Sequence, residues 1–124
     1  MSTAIHSEAK ATEMPERQLD LLRLLGYLQL QHGQHHRAVL IFDALLALCP
    51  SDPSLFLLQA CALIRCGKSA SAISLLDSFP AHSGDQTLAW LLRGQALAAV
   101  GQVAESARAM RMFIRLRHAE ARKG

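Results

Sequence analysis

The sequence predicts an all-α fold made of repeated helix pairs, and three observations support this prediction. Glycine recurs at equal intervals, at Gly33, Gly67 and Gly101. Small residues and two sets of bulky apolar residues keep the same spacing, at Gly26, Ala60 and Gly94, at Leu22, Phe56 and Trp90, and at Phe42, Leu76 and Met110. Only four prolines interrupt the chain, and all stand near predicted helix ends. We interpret the recurring residues as the packed scaffold, because large side chains in place of the small ones would overpack a helix crossing.

A 34-residue period that contains two helices, such as the one these positions keep, is typical of the tetratricopeptide (TPR) repeat. The sequence therefore predicts three tandem TPR helix-turn-helix units, at about residues 19–50, 53–84 and 87–120, which form a short superhelical array with a concave groove. Residues 15–124 are predicted to make this single domain. Residues 1–14 are predicted to be a flexible N-terminal tail, because most of them are polar or small and they lack helical periodicity.

The first unit is predicted to begin with a helix near Pro15, a residue type favoured in a first helical turn. Gly33 is predicted to end this helix, because glycine is the preferred residue just after a helix C-terminus. The second helix is predicted over about residues 35–48, and Pro50 then stops it.

The second unit is predicted to start at Ser51-Asp52-Pro53, which is typical of an N-cap followed by proline at the first helical position. Its helices are predicted over about residues 53–66 and 69–79. In the third unit, Asp85 or a neighbour is expected to cap a helix over about residues 86–100. The last helix follows Gly101 and extends to about Ala121.

Composition limits the class of protein. Hydrophobic residues make up 51% of the 124 residues and charged residues 19%, so much apolar surface must be buried in a core or by a partner. No apolar stretch approaches the roughly 20 residues that span a bilayer, and the N-terminus lacks the apolar segment of a secretory signal. Three cysteines without a CxxC pair predict free thiols in a reducing compartment.

The concave groove is the predicted functional site, because the first helix of each unit lines the concave face of a TPR array. Its predicted lining is mostly apolar, so we expect an apolar segment of another protein to fill it. Arg23 and Arg65 are expected to orient that partner at the groove edge, and a charge at Leu57 or Ile64 to abolish its binding with the helices intact. The predicted groove residues are Arg23, Tyr27, Leu30, Leu57, Cys61, Ile64, Arg65, Leu88, Leu91 and Gln95, with Gln31 and Ala98 beside them. The chain's own N-terminal tail or a second copy is the alternative occupant.

Other functions have less support in the sequence. No nucleophile elbow, glycine-rich phosphate loop or carboxylate pair indicates catalysis, and no cofactor is predicted. Histidines at 32, 35 and 36 lack the further ligands that a structural zinc site needs, so no metal is predicted either. A stripe at Arg108, Arg111, Arg115 and Arg122 is interpreted first as a solvated face, second as a contact for an acidic protein and last as a nucleic-acid surface.

One segment carries a family resemblance. Residues 17–50 read RQLDLLRLLGYLQLQHGQHHRAVLIFDALLALCP. This segment resembles the small YscY-type chaperones of bacterial type III secretion systems. The resemblance depends on Arg17-Gln18 before a leucine run, on Gly-aromatic-Leu-Gln-Leu-Gln at residues 26–31, on Gly33, and on Arg37-Ala38 and Asp43-Ala44-Leu45-Leu46 before Pro50. Beyond Pro50 only the repeat itself matches.

The resemblance implies a cytoplasmic bacterial chaperone that binds a small YscX-type export substrate one-to-one. It also implies that the pair engages the large export-gate protein of the inner membrane, to which the chaperone would be recruited. Chaperones of needle subunits and of translocator subunits are two sister groups and stay open as alternatives. A self-associating TPR scaffold, homodimeric when unbound, is a third alternative.

Overall fold

The computed structural model describes residues 14–80 and 84–123, and within these ranges the chain is entirely helical apart from short connections. The all-α prediction is therefore confirmed. The predicted tail, residues 1–14, lies outside the described residues except for Met14. The described helices are α1 (Glu16–Gln31), α2 (His35–Leu48), α3 (Pro53–Arg65), α4 (Ser69–Asp77), α5 (Gln86–Ala99) and α6 (Val103–Lys123).

The helix starts follow local signals that the sequence displays. Asp52 is the N-cap of α3, and its side chain accepts a hydrogen bond from the backbone N–H of Ser54 at 3.0 Å, with Pro53 in the first helical position. Asp85 caps α5 in the same way through the backbone N–H of Leu88, also at 3.0 Å. These two caps satisfy N–H groups that a helix leaves without an internal partner.

The turns inside the three helix pairs share one geometry. Gly33 has a φ of 77°, and its N–H donates to the carbonyl of Leu30 while the Gln34 N–H donates to the carbonyl of Gln29. This is the Schellman ending of a helix, whose positive φ favours glycine. The same pair of hydrogen bonds recurs around Gly67 and Gly101, one and two repeat periods later. The spacing of the glycines therefore marks repeated local structure as well as repeated sequence.

Consecutive helices pack side by side, and α3 also contacts α5. Small residues permit the close crossings. A Cβ on Gly26 would lie 2.8 Å from Cε1 of Phe42, and a Cβ on Gly94 would lie 2.5 Å from Sδ of Met110. These crossings join α1 to α2 and α5 to α6, at opposite ends of the row of helices.

The core runs along the middle of this row. One buried cluster spans α1 to α5 and contains the fully buried Phe42, Leu45 and Leu55. A second cluster spans α3 to α5. The amide of Gln59, which is 2% exposed, joins α3 to α2 because its Nε2 donates to Oδ1 of Asp43 at 2.5 Å and to the carbonyl of Val39 at 3.3 Å.

The bulky set at Leu22, Phe56 and Trp90 is half-buried, and so is Met110. The small residues Ala38 and Ala72 are fully buried, as is Phe42, and Leu76 is 2% exposed. In the first two pairs the recurring residues of the second helix are therefore more buried than the bulky residues of the first helix. Within the ranges that the structure describes, no helix has the length and apolarity to cross a membrane.

Candidate partner-binding groove

An open groove of about 820 Å³ lies between α1, α3 and α5, the first helices of the three pairs. Its lining combines apolar side chains with a polar rim. The lining residues are Tyr27, Leu30, Gln31, His32, Ser54, Leu57, Leu58, Cys61, Arg65, Asp85, Leu88 and Leu92. A groove of this size can bury several apolar side chains of another polypeptide.

The apolar floor belongs to the core. Leu30, Leu57 and Leu92 are 4%, 6% and 5% exposed, so they support the groove from below. Tyr27 and Leu88 are the accessible apolar residues, at 45% and 36%. They would contact an occupant most directly.

Polar groups surround this floor. The hydroxyl of Tyr27 accepts a hydrogen bond from Nε2 of Gln31 at 2.8 Å, which orients both side chains on α1. Arg65 and Asp85 are exposed and carry opposite charges on α3 and at the start of α5. The arrangement can therefore bury an apolar segment while its rim offers hydrogen bonds and charges of both signs.

The groove crosses the helices diagonally. Residues 27–32 of the chain line it from the C-terminal end of α1, residues 54–65 line it along the length of α3, and residues 85–92 line it from the N-terminal end of α5. Two positions one repeat period apart can both line the groove, as Tyr27 and Cys61 do, but no position lines it in all three units. A lateral shift of the lining from one pair to the next is expected when repeated helix pairs stack with a small rotation.

Six of the ten predicted groove residues line it together: Tyr27, Leu30, Leu57, Cys61, Arg65 and Leu88. Gln31, which we expected beside them, also does. Four predicted residues lie elsewhere, and Ala98 is likewise absent from the lining. Leu91 lines a separate 230 Å³ cleft with Phe113 and Arg117 of α6, and Gln95 is exposed outside the groove. Leu91 lies beside the groove residue Leu92 but contributes to the cleft against α6, whereas Gln95 lies beyond Leu92, the last groove residue of α5.

Ile64 and Arg23 take part in the scaffold instead. Ile64 packs against both buried clusters. The guanidinium of Arg23 donates to Oδ2 of Asp52 at 2.7 Å and to Oδ1 of Asp20 at 3.0 Å, so it joins α1 to the capped start of α3. The expected partner-orienting role at the edge is better matched by Arg65, which lines the groove and is exposed.

The pKa of the Asp52 carboxyl reflects its contacts with Ser54 and Arg23. Partial burial acts to raise the pKa of the Asp52 carboxyl, but hydrogen bonds from the Ser54 hydroxyl and backbone N–H, with the nearby charge of Arg23, outweigh it. The net pKa lies below its ordinary value. The folded state therefore favours the ionised carboxylate that both caps α3 and pairs with α1.

Five residues that were not predicted also line the groove: His32, Ser54, Leu58, Asp85 and Leu92. Leu58 and Leu92 are themselves one repeat period apart, as are Ser54 and Leu88. The repeat spacing could have indicated that these residues lie on the same side of their helices, but it does not distinguish the groove side of a helix from its core side. The burial of Leu57 also corrects the expected effect of a charge there, because a buried charge would destabilise the fold along with any partner contact.

Other reactive groups lie outside the groove or stand singly. Among residues 14–80 and 84–123 no group of three or more His, Cys, Asp or Glu side chains could hold a metal ion. Cys49, Cys61 and Cys66 are free and half-buried. Nδ1 of His36, in the first turn of α2, lies 3.0 Å from Sγ of Cys66, so this histidine is in contact with the end of α3.

No model of a known protein family matches the chain, and no curated protein is similar enough to indicate a relationship. The functional proposal therefore rests on the groove, the repeated helix pairs and the resemblance of residues 17–50 to YscY-type chaperones.

Proposed function

We propose that the chain is a non-catalytic TPR chaperone of a bacterial type III secretion system, of the YscY type. It binds a small YscX-type export substrate in the groove and presents the pair to the export gate of the inner membrane from the cytoplasm. The observation that carries this proposal is the open groove of about 820 Å³ with an apolar floor and an accessible Tyr27 and Leu88.

The repeated geometry supports the TPR part of the proposal. The Schellman turns at Gly33, Gly67 and Gly101 share their hydrogen bonds and recur at equal intervals along the chain. The residues that follow each glycine by the same step into the second helix, Ala38, Ala72 and Ser106, are all buried at 9% exposure or less. Two helices per repeat period, with buried small residues in the second helix, match the TPR repeat.

The segment that carries the family resemblance also builds one wall of the groove. Gly26 packs against Phe42, and Tyr27, Leu30 and Gln31 of the same Gly-Tyr-Leu-Gln-Leu-Gln run line the groove. The residues behind the resemblance to YscY-type chaperones therefore combine a helix crossing with the candidate contact surface. This coincidence favours the YscY type over the two sister groups.

The mechanism is burial of an apolar segment of the client. Covering an exposed large apolar side chain contributes about 1.5–3 kcal/mol when the burial is complete. Tyr27 and Leu88 are partly exposed, so each contributes part of that on each side of the contact. A client that buries its own apolar residues here is kept soluble, because the surface through which it would aggregate is covered.

Co-expression tests the proposal. The chain is produced together with the small open reading frames encoded beside it, and the complex is analysed by size-exclusion chromatography with light scattering. We expect a stable one-to-one complex with a small export-type protein. Capture of a needle or translocator subunit instead would assign the chain to a sister group, and no complex with any of these would contradict the chaperone function.

Variants locate the contact. Leu88→Asp and Tyr27→Asp place a charge at accessible groove residues, and we expect each to weaken client binding by about 30-fold or more. Leu40→Asp is the matched control, because Leu40 is 68% exposed on α2 and does not line the groove. Equal affinity of all three variants, with unchanged helical circular dichroism, would show that the client binds elsewhere.

A further inference from the structure

A second apolar surface lies on the first helix, away from the groove. Four leucines of α1 are exposed at 60%, 53%, 43% and 39%, and we call them the leucine face: Leu21, Leu24, Leu25 and Leu28. They occupy positions i, i+3, i+4 and i+7, so they form one stripe along the helix. Solvent-exposed helices of a globular protein normally carry polar residues on such a stripe.

The leucine face is distinct from the groove. At 100° per residue its centre lies about 120° around α1 from the side that carries Tyr27, Leu30 and Gln31. The buried side of α1, with Gly26 and Leu30, packs against α2. Because α1 is the first helix of the row, no preceding helix among the described residues covers its outer side. An occupant of the groove would leave the leucine face uncovered.

Residues 1–13 are a poor cover for this surface. Their composition is polar and small, and Met1 and Ile5 are the only large apolar residues among them. Two apolar side chains cannot match a stripe of four leucines. The occupant must bring a comparable apolar stripe.

We propose that the leucine face binds a second copy of the chain, with α1 of one copy packed against α1 of the other about a two-fold axis. A two-fold contact brings the same surface from both copies, so each leucine stripe meets four leucines. The charges of α1 permit this pairing, because Glu16 and Asp20 balance Arg17 and Arg23. Two copies of α1 therefore meet without net repulsion.

The last helix shows what would prevent such pairing. The net charge of α6 is +4 with histidine neutral, because the helix has six basic residues and two acidic ones. The basic residues are Arg108, Arg111, Arg115, Arg117, Arg122 and Lys123, and the acidic ones are Glu105 and Glu120. Two α6 helices would repel each other when brought together. Of the two end helices, only α1 combines neutrality with an exposed apolar stripe.

The size of the surface sets the expected strength. A helix of 16 residues is about 24 Å long, and one helix pair buries less than the roughly 800 Å² per partner of a standard stable interface. The dimer is therefore weak, with a dissociation constant in about the micromolar to hundred-micromolar range. It coexists with client binding as a two-to-two complex, because the two surfaces are separate.

Sedimentation equilibrium of the full chain without client, from about 1 μM to 1 mM, tests the proposal. We expect a reversible monomer–dimer equilibrium, which Leu21→Glu with Leu28→Glu weakens by about 100-fold or more. The matched control is Val103→Glu with Ile114→Glu, which adds the same charges at apolar residues of α6 that are 74% and 49% exposed. The control retains the wild-type equilibrium. A wild-type chain that is monomeric over the whole range overturns the proposal, as does a control that dissociates equally.

A charge-exchange experiment tests whether like faces meet. The doubly Glu variant at residues 21 and 28 and the corresponding doubly Lys variant, Leu21→Lys with Leu28→Lys, are each monomeric and form a heterodimer when mixed. This result holds for either direction of the two helices, because both carry the same charge at both positions. Absence of the heterodimer, with helical circular dichroism retained in both variants, overturns the two-fold contact. The outcome is independent of the proposed chaperone function, because client binding through the groove is measured separately.

Discussion

The first and last helices of the chain end the row of helices in opposite ways. The first helix, α1, has four exposed leucines on its outer side and no net charge over its length, whereas the outer side of α6 carries a stripe of arginines. A stacked array needs a polar face at its ends to stay soluble. The C-terminal end meets this requirement with its own sequence, and the N-terminal end does not. The two ends of the row therefore differ in polarity, and of the two end helices only α1 leaves a stripe of four leucines exposed.

The length of α6 contributes to this difference. With 21 residues against 14 in α5, it extends along the whole of its neighbour. Near its far end Oγ1 of Thr87 donates a hydrogen bond to Oε1 of Glu120 at 2.5 Å. The last helix was predicted to extend to about Ala121, and in the structure it continues to Lys123.

The largest effect on the free energy of unfolding is expected at the two glycine crossings, which lie at opposite ends of the row of helices. In Gly26→Ala the new Cβ meets the ring of Phe42, which is fully buried and cannot move aside, so we expect a loss of about 1–3 kcal/mol in unfolding free energy. In Gly94→Ala it meets the flexible end of Met110, and the gain in helix propensity of about 1 kcal/mol offsets most of the cost. Urea unfolding measures both. Equal losses would show that the two crossings are equally rigid.

An intermediate effect is expected where α1 is joined to α3. Asp52→Ala removes the cap and the partner of Arg23, and we expect a loss of about 1 kcal/mol or slightly more at neutral pH. Because folding lowers the pKa of Asp52 below 3.8, this contribution is present above that pH and is lost as the pH falls through the lower folded value.

The matched control for this prediction is Asp85→Ala, which removes the cap of α5. The wild type and Asp52→Ala are unfolded in urea at pH 7 and at about pH 3, and the difference between them should shrink at the lower pH. A larger loss for Asp85→Ala than for Asp52→Ala at pH 7 would contradict the stabilising role of the Arg23 ion pair.

The smallest effect is expected on the outer sides of the two end helices. Arg111→Gln with Arg115→Gln on α6 and Leu24→Gln on α1 change exposed residues, so each should alter the unfolding free energy by about 0.5 kcal/mol or less. Their effects on self-association should differ, because only Leu24 belongs to the leucine face. Thermal unfolding and light scattering of the same samples separate the two properties. Weaker self-association in the arginine variant would place the contact on α6.

The helix ends were predictable because their causes are local. Asp52 and Asp85 cap helices through N–H groups two or three residues away, and Gly33 ends α1 through hydrogen bonds within six residues. Such contacts depend on neighbours in the chain and are readable from residue type and spacing. The predicted boundaries of α2, residues 35–48, agree with the observed ones for this reason.

The groove was predictable in its position and only partly in its lining. Tyr27, Cys61 and Gln95 stand at equivalent places in the three units, yet the groove includes the first two and excludes the third. Sequence spacing treats the units as identical, while the groove follows the C-terminal end of α1, the length of α3 and the N-terminal end of α5. The position of Arg23 outside the groove has another cause. Its partner Asp52 is 29 residues away in the chain, and no local pattern indicates the pairing.

Residue type and spacing are enough to indicate that the chain is helical, where most helices begin and end, and which small residues recur at the crossings. Those properties follow from backbone conformation and short-range hydrogen bonds. Contacts between helices establish which residues share the groove, that Leu57 and Ile64 support it from within, and that α1 leaves four leucines uncovered. Exposure depends on how helices distant in sequence cross, and a residue's type does not reveal which of its sides another helix will cover.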